Sequence, residues 1–223
     1  MTEELPIFPL RTVLFPGLVL PLHIFEERYR LLVSELIARP DDVPRRLGIV
    51  AIRQGQEAGG DHPDLYEVGC AAELHRVEPY DDGRFDIVTT GGSRFRLGSI
   101  DTSRPYLTGT VETLPEEIGD VDRAATLAAR VSVAFSAYLR ALATAQRTVA
   151  NPPRLSEDPL TLSYLVASGL VLDLTDRQQL LAAPDAAARL RLAAALLGRE
   201  TRLVRELSAP PALDLTGQSF SAN

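Results

Sequence analysis

The chain has 223 residues, 45% of them hydrophobic, and a net charge of −7 from 30 acids against 23 basic residues, all of them arginine. That length and apolar content can fill one large core or two small adjoining ones. The missing lysine excludes P-loop phosphate binding, Schiff-base chemistry and a serine–lysine dyad, and 18 acids against 12 arginines in residues 1–115 oppose binding along a DNA or RNA backbone.

A single cysteine, Cys70, and three scattered histidines, His23, His62 and His75, give no disulfide and no metal-ligand spacing, so no metal or cofactor is expected. Cys70 lies in an apolar run and reads as a buried structural thiol. No apolar run reaches the roughly 18 residues of a membrane span, because Pro6, Pro9, Arg11, Pro16, Gly17, Pro21 and His23 interrupt the richest one. The opening Met-Thr-Glu-Glu lacks the basic residues of a secretory signal, and the expected location is the cytoplasm.

Taken in order, Leu5 to Leu10 suits an edge strand, since Pro6 and Pro9 withdraw backbone donors. Phe15-Pro16-Gly17-Leu18 fits a type II turn leading into a strand over Val19 to Ile24. From Phe25 the period becomes helical, with Tyr29, Leu32, Val33, Leu36 and Ile37 as the inner stripe and a surface ion pair expected between Glu26 and Arg30. A buried strand over Leu47 to Arg53 precedes a glycine-rich loop, Gln54 to Glu67. Val68 to Tyr80 and Arg84 to Thr90 flank Asp81-Asp82-Gly83, a hairpin signal. Gly91-Gly92 reads as another turn, followed by strands over Ser93 to Ile100 and about Tyr106 to Leu114. Some six strands and one helix then favour a small, mostly antiparallel barrel or curled sheet.

After residue 116 alanine, leucine and arginine recur with helical spacing. A long helix is expected from about Val121 to Arg147, then the linker Asn151-Pro152-Pro153. Asp158-Pro159 caps the next helix, and Thr175-Asp-Arg-Gln178 reads as a capping box for a short one. Asp185 caps a last helix on which Leu190, Leu197 and Val204 repeat every seven residues. The reading is α+β, with a β-rich subdomain over 1–116, a helical bundle over 117–208 and a disordered tail over 209–223.

"LPIFPLRTVLFPGLVLPLHIFEERYR", the Val68-Gly69 strand opening, "GRFDIVTTGGSRFRL" and "LSYLVASGLVLDLTDRQQLLAAPDAAARLRLAAALLGRE" resemble the N-terminal domain of Lon proteases, over about residues 4 to 207. The resemblance implies a pseudo-barrel (PUA-like) β subdomain with one helix, a following helical bundle, and recognition of unfolded or tagged polypeptide. No G-x-x-x-x-G-K-[ST] loop is present, no ATPase module fits after residue 207, and no lysine is available for a dyad, so Lon's catalytic functions are not carried over. Cereblon, another relative of this domain, adds a zinc module with a tryptophan cage; one cysteine and no tryptophan exclude that module.

The implied function is non-catalytic recognition of polypeptide, either as a unit that binds unfolded clients or as an adaptor for a separate protease. An RNA-binding pseudo-barrel is the alternative, supported by arginines such as Arg94 and Arg96 and opposed by the acidic first half; an uncharacterised enzyme has no motif behind it. The candidate polypeptide-binding residues are Phe15, Pro16, Phe25, Tyr29 and Arg94. Phe15 and Pro16 are expected to cap a hydrophobic groove at the seam between subdomains, against the alternative that the opening stretch only packs the barrel. Arg94, beside a tight turn, either braces loop carbonyls, the favoured reading, or meets a ligand carboxylate. Partners are unfolded polypeptide or a protease, with no DNA and no membrane, and the chain is expected to be a monomer or weak homodimer.

Overall fold

A computed structural model describes residues 2–54, 64–148 and 154–208. Its elements run β1 (Thr2–Leu10), β2 (Val19–Ile24), α1 (Glu27–Ile37), β3 (Arg46–Gln54), β4 (Asp64–Leu65), β5 (Val68–Pro79), β6 (Phe85–Asp101), β7 (Leu107–Thr113), α2 (Val121–Ala145), α3 (Pro159–Gly169), α4 (Leu174–Ala182) and α5 (Ala186–Ser208). The fold is α+β. The strands form a mostly antiparallel sheet in the order β1-β7-β6-β5-β3, and β1 also pairs β3 in parallel, so these five strands close on themselves. Closure leaves them no free edge. β2 stands outside that circuit and pairs only the first half of β6, from Val19 opposite Thr90 to Ile24 opposite Phe85.

One face of the sheet gathers Ile7, Val50, Ala71, Phe95 and Val111, and on the opposite face Ile49, Cys70, Ala72 and Ile87 pack against Tyr29, Leu32, Val33 and Leu36 of α1. Ile37, expected on the same stripe, is the last residue of the helix and is exposed. The expected Glu26–Arg30 pair is not made. Glu26 pairs with Arg28 at 2.9 Å, and the Arg30 Nε donates to the Gly83 carbonyl at 2.6 Å, tying the helix to the hairpin.

Gly91-Gly92 does not turn the chain: β6 runs through both as one 17-residue strand. The glycines serve close approach instead. A Cβ on Gly91 would stand 2.2 Å from the Phe15 carbonyl oxygen, where the loop before β2 lies across the strand. The capping box also shifts. The N-cap of α4 is Asp173, whose carboxylate accepts from the Asp176 N–H at 2.8 Å, leaving Thr175 in the first turn. Within the expected loop 54–67, Asp64–Leu65 pairs β3 as the short β4. Residues 55–63, the 151–153 linker and the 209–223 tail lie outside the described residues.

The helices pack around α5, whose Leu190, Ala193, Leu196 and Leu197 are buried against α2 and α3. Asp158 and Asp185 cap α3 and α5 as expected, accepting from Thr161 N at 2.8 Å and Ala188 N at 2.7 Å. One apolar cluster joins Val13, Phe15, Ala51 and Val68 from the β half to Phe135, Tyr138, Leu162 and Leu180 from the helices, so the two halves share a core.

Candidate functional site

The loop Phe15-Pro16-Gly17-Leu18 is a turn because proline presets φ and Gly17 takes φ +77°, with Leu18 N donating to Phe15 O at 3.1 Å. It is stapled to β6 by Gly17 N to Gly91 O (2.7 Å) and Gly91 N to Leu18 O (2.9 Å). This directs the Phe15 ring inward. The ring is 0% exposed, 6.5 Å from the Tyr164 ring and 5.5 Å from the Arg177 guanidinium.

Across from this turn runs α3. Its sequence is apolar nearly all round, so after burying Leu162, Val166 and Ala167 it still presents an apolar outer face. Leu160, Thr161, Tyr164, Leu165 and Ser168 share that face, and with Pro16, Gly17, Leu18 and Glu116 they line a groove of about 430 Å³. Its walls are a β turn and a helix, and its floor is polar.

At that floor the Glu116 carboxylate accepts from Arg94 Nε at 2.9 Å and from the Tyr164 hydroxyl at 2.5 Å. Arg94 also donates to the carbonyls of Leu181 (2.9 Å), Ala183 (2.6 Å) and Pro115 (3.1 Å). The Tyr164 ring lies 3.9 Å from the guanidinium carbon of Arg189, a buried residue that donates to Leu180 O at 2.9 Å and to the Ser163 hydroxyl at 3.0 Å. Burial raises the Tyr164 pKa and lowers that of Arg189 to about 10. At neutral pH the tyrosine is therefore neutral and Arg189 is a cation. Gln178 Nε2 to Val68 O at 2.8 Å and Arg177 Nη2 to Val13 O at 3.3 Å extend the same seam.

A second recess, about 160 Å³, lies at the far end of β2 among Phe8, Leu22, His23, Phe25 and Tyr29. Tyr29 is buried and stacks on Phe8 at 4.1 Å, forming the recess wall, whereas Phe25 is 61% exposed at its mouth. His23 beside it holds Asp86 at 2.6 Å, and Asp86 accepts from the Tyr80 hydroxyl at 2.5 Å; both bonds keep the Asp86 carboxyl below its usual range.

The five sequence candidates thus separate. Pro16 lines the groove, Phe15 lies beneath it, Phe25 and Tyr29 belong to the second recess, and Arg94 is 2% exposed. With its guanidinium turned to one carboxylate and three carbonyls, Arg94 braces the two halves and faces no solvent. The α3 face and Glu116 were missed by sequence reasoning. The signal for α3 was present: a helix apolar nearly all round must either be enclosed or offer a largely apolar face.

The family model for the ATP-dependent protease La (LON) substrate-binding domain matches residues 4–199. The chain belongs to this family. "Lon protease 2" of Syntrophobacter fumaroxidans is 33% identical over 194 residues, 85% of this chain and 24% of its own length. "Lon protease 2" of Sorangium cellulosum is 30% identical over 208 residues, 91% of this chain and 25% of its own. The chain therefore spans about a quarter of the length of these Lon relatives. The solved N-terminal domain of Mycobacterium avium complex Lon protease superposes with a TM-score of 0.64 at 19% identity, covering 88% of this chain and 98% of that one. A Lon N-terminal domain protein from Xanthomonas campestris gives 0.55 at 21% identity, covering 85% and 95%. These two share the fold. No helix of the described residues is long and apolar enough to cross a membrane.

Proposed function

We propose that this chain is a non-catalytic polypeptide-recognition module that engages unfolded segments through the groove between the Pro16–Leu18 turn and α3. The observation that carries the reading is the groove itself: a largely apolar lining on a turn and a helix, with its polar floor already paired. A site of this kind gains affinity from apolar side chains that a folded client keeps inside. Membership of a substrate-binding family supports the same reading. Whether the segment belongs to a client or to a protease that uses this chain as adaptor is a question of which polypeptide fits.

The test is fluorescence anisotropy with a labelled, permanently unfolded polypeptide and its folded form. Saturable binding of the unfolded form alone, weakened about tenfold or more by Ser168→Arg in a protein of unchanged circular dichroism, is the expected result. Equal binding of both forms, or no effect of a groove filled by arginine, overturns it.

A further inference from the structure

β2 has β6 as its only strand partner among the described residues. The Leu18 carbonyl accepts from Gly91 N, and Pro21 has no N–H to give. Backbone groups alternate sides along an antiparallel strand, so Leu20, Leu22 and Ile24 turn theirs to β6. Val19, Pro21 and His23 turn theirs away. The outer edge of β2 thus offers two N–H donors, from Val19 and His23, and three carbonyl acceptors in strand register. Such a row matches another extended backbone.

An apolar recess lies at each end of this edge, the groove beside Pro16–Leu18 and the pocket at Leu22–Phe25. Six residues of strand span about 20 Å, so an extended segment laid along β2 reaches both. Charge narrows the occupant further. Residues 1–115 carry 18 acids against 12 arginines; at the recesses Glu116 is held by Arg94, Glu26 by Arg28 and Asp86 by His23, so the excess belongs to the half as a whole. A second copy of this chain brings the same excess and is repelled, and a polyanion is repelled more strongly.

We infer that the bound polypeptide is an extended, basic segment that adds as a strand to the outer edge of β2 and places one apolar side chain in each recess. This rests on the polypeptide-binding reading above and specifies which polypeptide it takes and how.

The probe is a labelled peptide of about twelve residues, with leucines six apart and arginines outside them, so that both leucines fall on one face about 20 Å from each other. It is compared with a version N-methylated at alternate residues and one with glutamate for arginine. The parent is expected to bind, and both altered peptides to bind about tenfold more weakly or worse. Val19→Pro removes an outward donor without touching the β6 ladder or either recess and is expected to weaken the parent about fivefold, whereas Pro21→Val adds a donor and is expected to tighten it by a similar factor. If the N-methylated peptide binds as tightly as the parent while Ser168→Arg still blocks it, strand addition is overturned and the groove reading stands. If the glutamate peptide binds as tightly as the parent, the requirement for a basic segment is overturned. Failure of the parent peptide and of the unfolded polypeptide overturns both readings; failure of the parent alone overturns only this one.

Discussion

Phe15 and Phe25 come from one stretch of eleven residues and have opposite fates. Around Phe15 the seam is enclosed: an aromatic anchor, the Arg94–Glu116–Tyr164 chain and the Gln178 bond to Val68 join a barrel to a helical bundle. Around Phe25 the β2 face is open, with aromatic and charged side chains at the surface and a strand edge lacking a partner among the described residues. The contrast separates two uses of similar residues. Where arginine and phenylalanine lie under another element they hold the halves in one arrangement, and that arrangement builds the groove.

The contrast makes unequal demands on stability. Phe15→Ala empties a fully enclosed ring site between the halves and is expected to cost about 4 kcal/mol, read as a fall in the urea midpoint. A cost below about 1 kcal/mol would mean that the seam does not depend on this anchor. Arg94→Ala takes the guanidinium from Glu116 and from the carbonyls of Leu181, Ala183 and Pro115; Glu116 keeps the Tyr164 hydroxyl and some solvent contact, so the expected loss is about 3 kcal/mol. Arg94→Lys should recover only part of it, since an ammonium cannot span the same fork.

Cys70 tests enclosure by pH. Burial lifts its thiol from an ordinary value of 9.0 to about 12. Above pH 9 the unfolded chain releases this proton and the folded chain keeps it, so stability falls as pH rises from 9 towards 12. Urea midpoints at rising pH should decline more steeply in the parent than in Cys70→Ala, and equal slopes would place the thiol in contact with water. The smallest effect is expected at the open face. Phe25→Ala should change stability by less than about 0.5 kcal/mol yet weaken peptide binding, and a large loss of stability would move Phe25 into the structural class.

Much of this architecture was legible locally. The strand Val19–Ile24 has the bounds that alternation and the preceding turn implied, and Asp158 and Asp185 cap their helices, because these features depend on residues within a few positions of one another. The misses are equally specific. Gly91-Gly92 looked like a turn because two glycines permit one, yet their use is set by Phe15, more than seventy positions earlier in the chain. Thr175 looked like a cap because its spacing to Gln178 fits a capping box; the fold instead gives the Gln178 side chain to Val68.

The candidate site divides in the same way. Pro16 could be named from its turn, and the apolar excess of α3 could be read from its composition. That these two face each other across a groove, with Glu116 between Arg94 and Tyr164, follows from the packing of the helical half onto the barrel. By itself the sequence determined most of the elements, the Asp158 and Asp185 caps, the net acidic charge and the membership of a substrate-binding family, because each is written in local pattern or overall composition. Only the tertiary structure decided which arginine is buried, which phenylalanine is open and where the groove lies, because burial depends on contacts between residues distant in the chain.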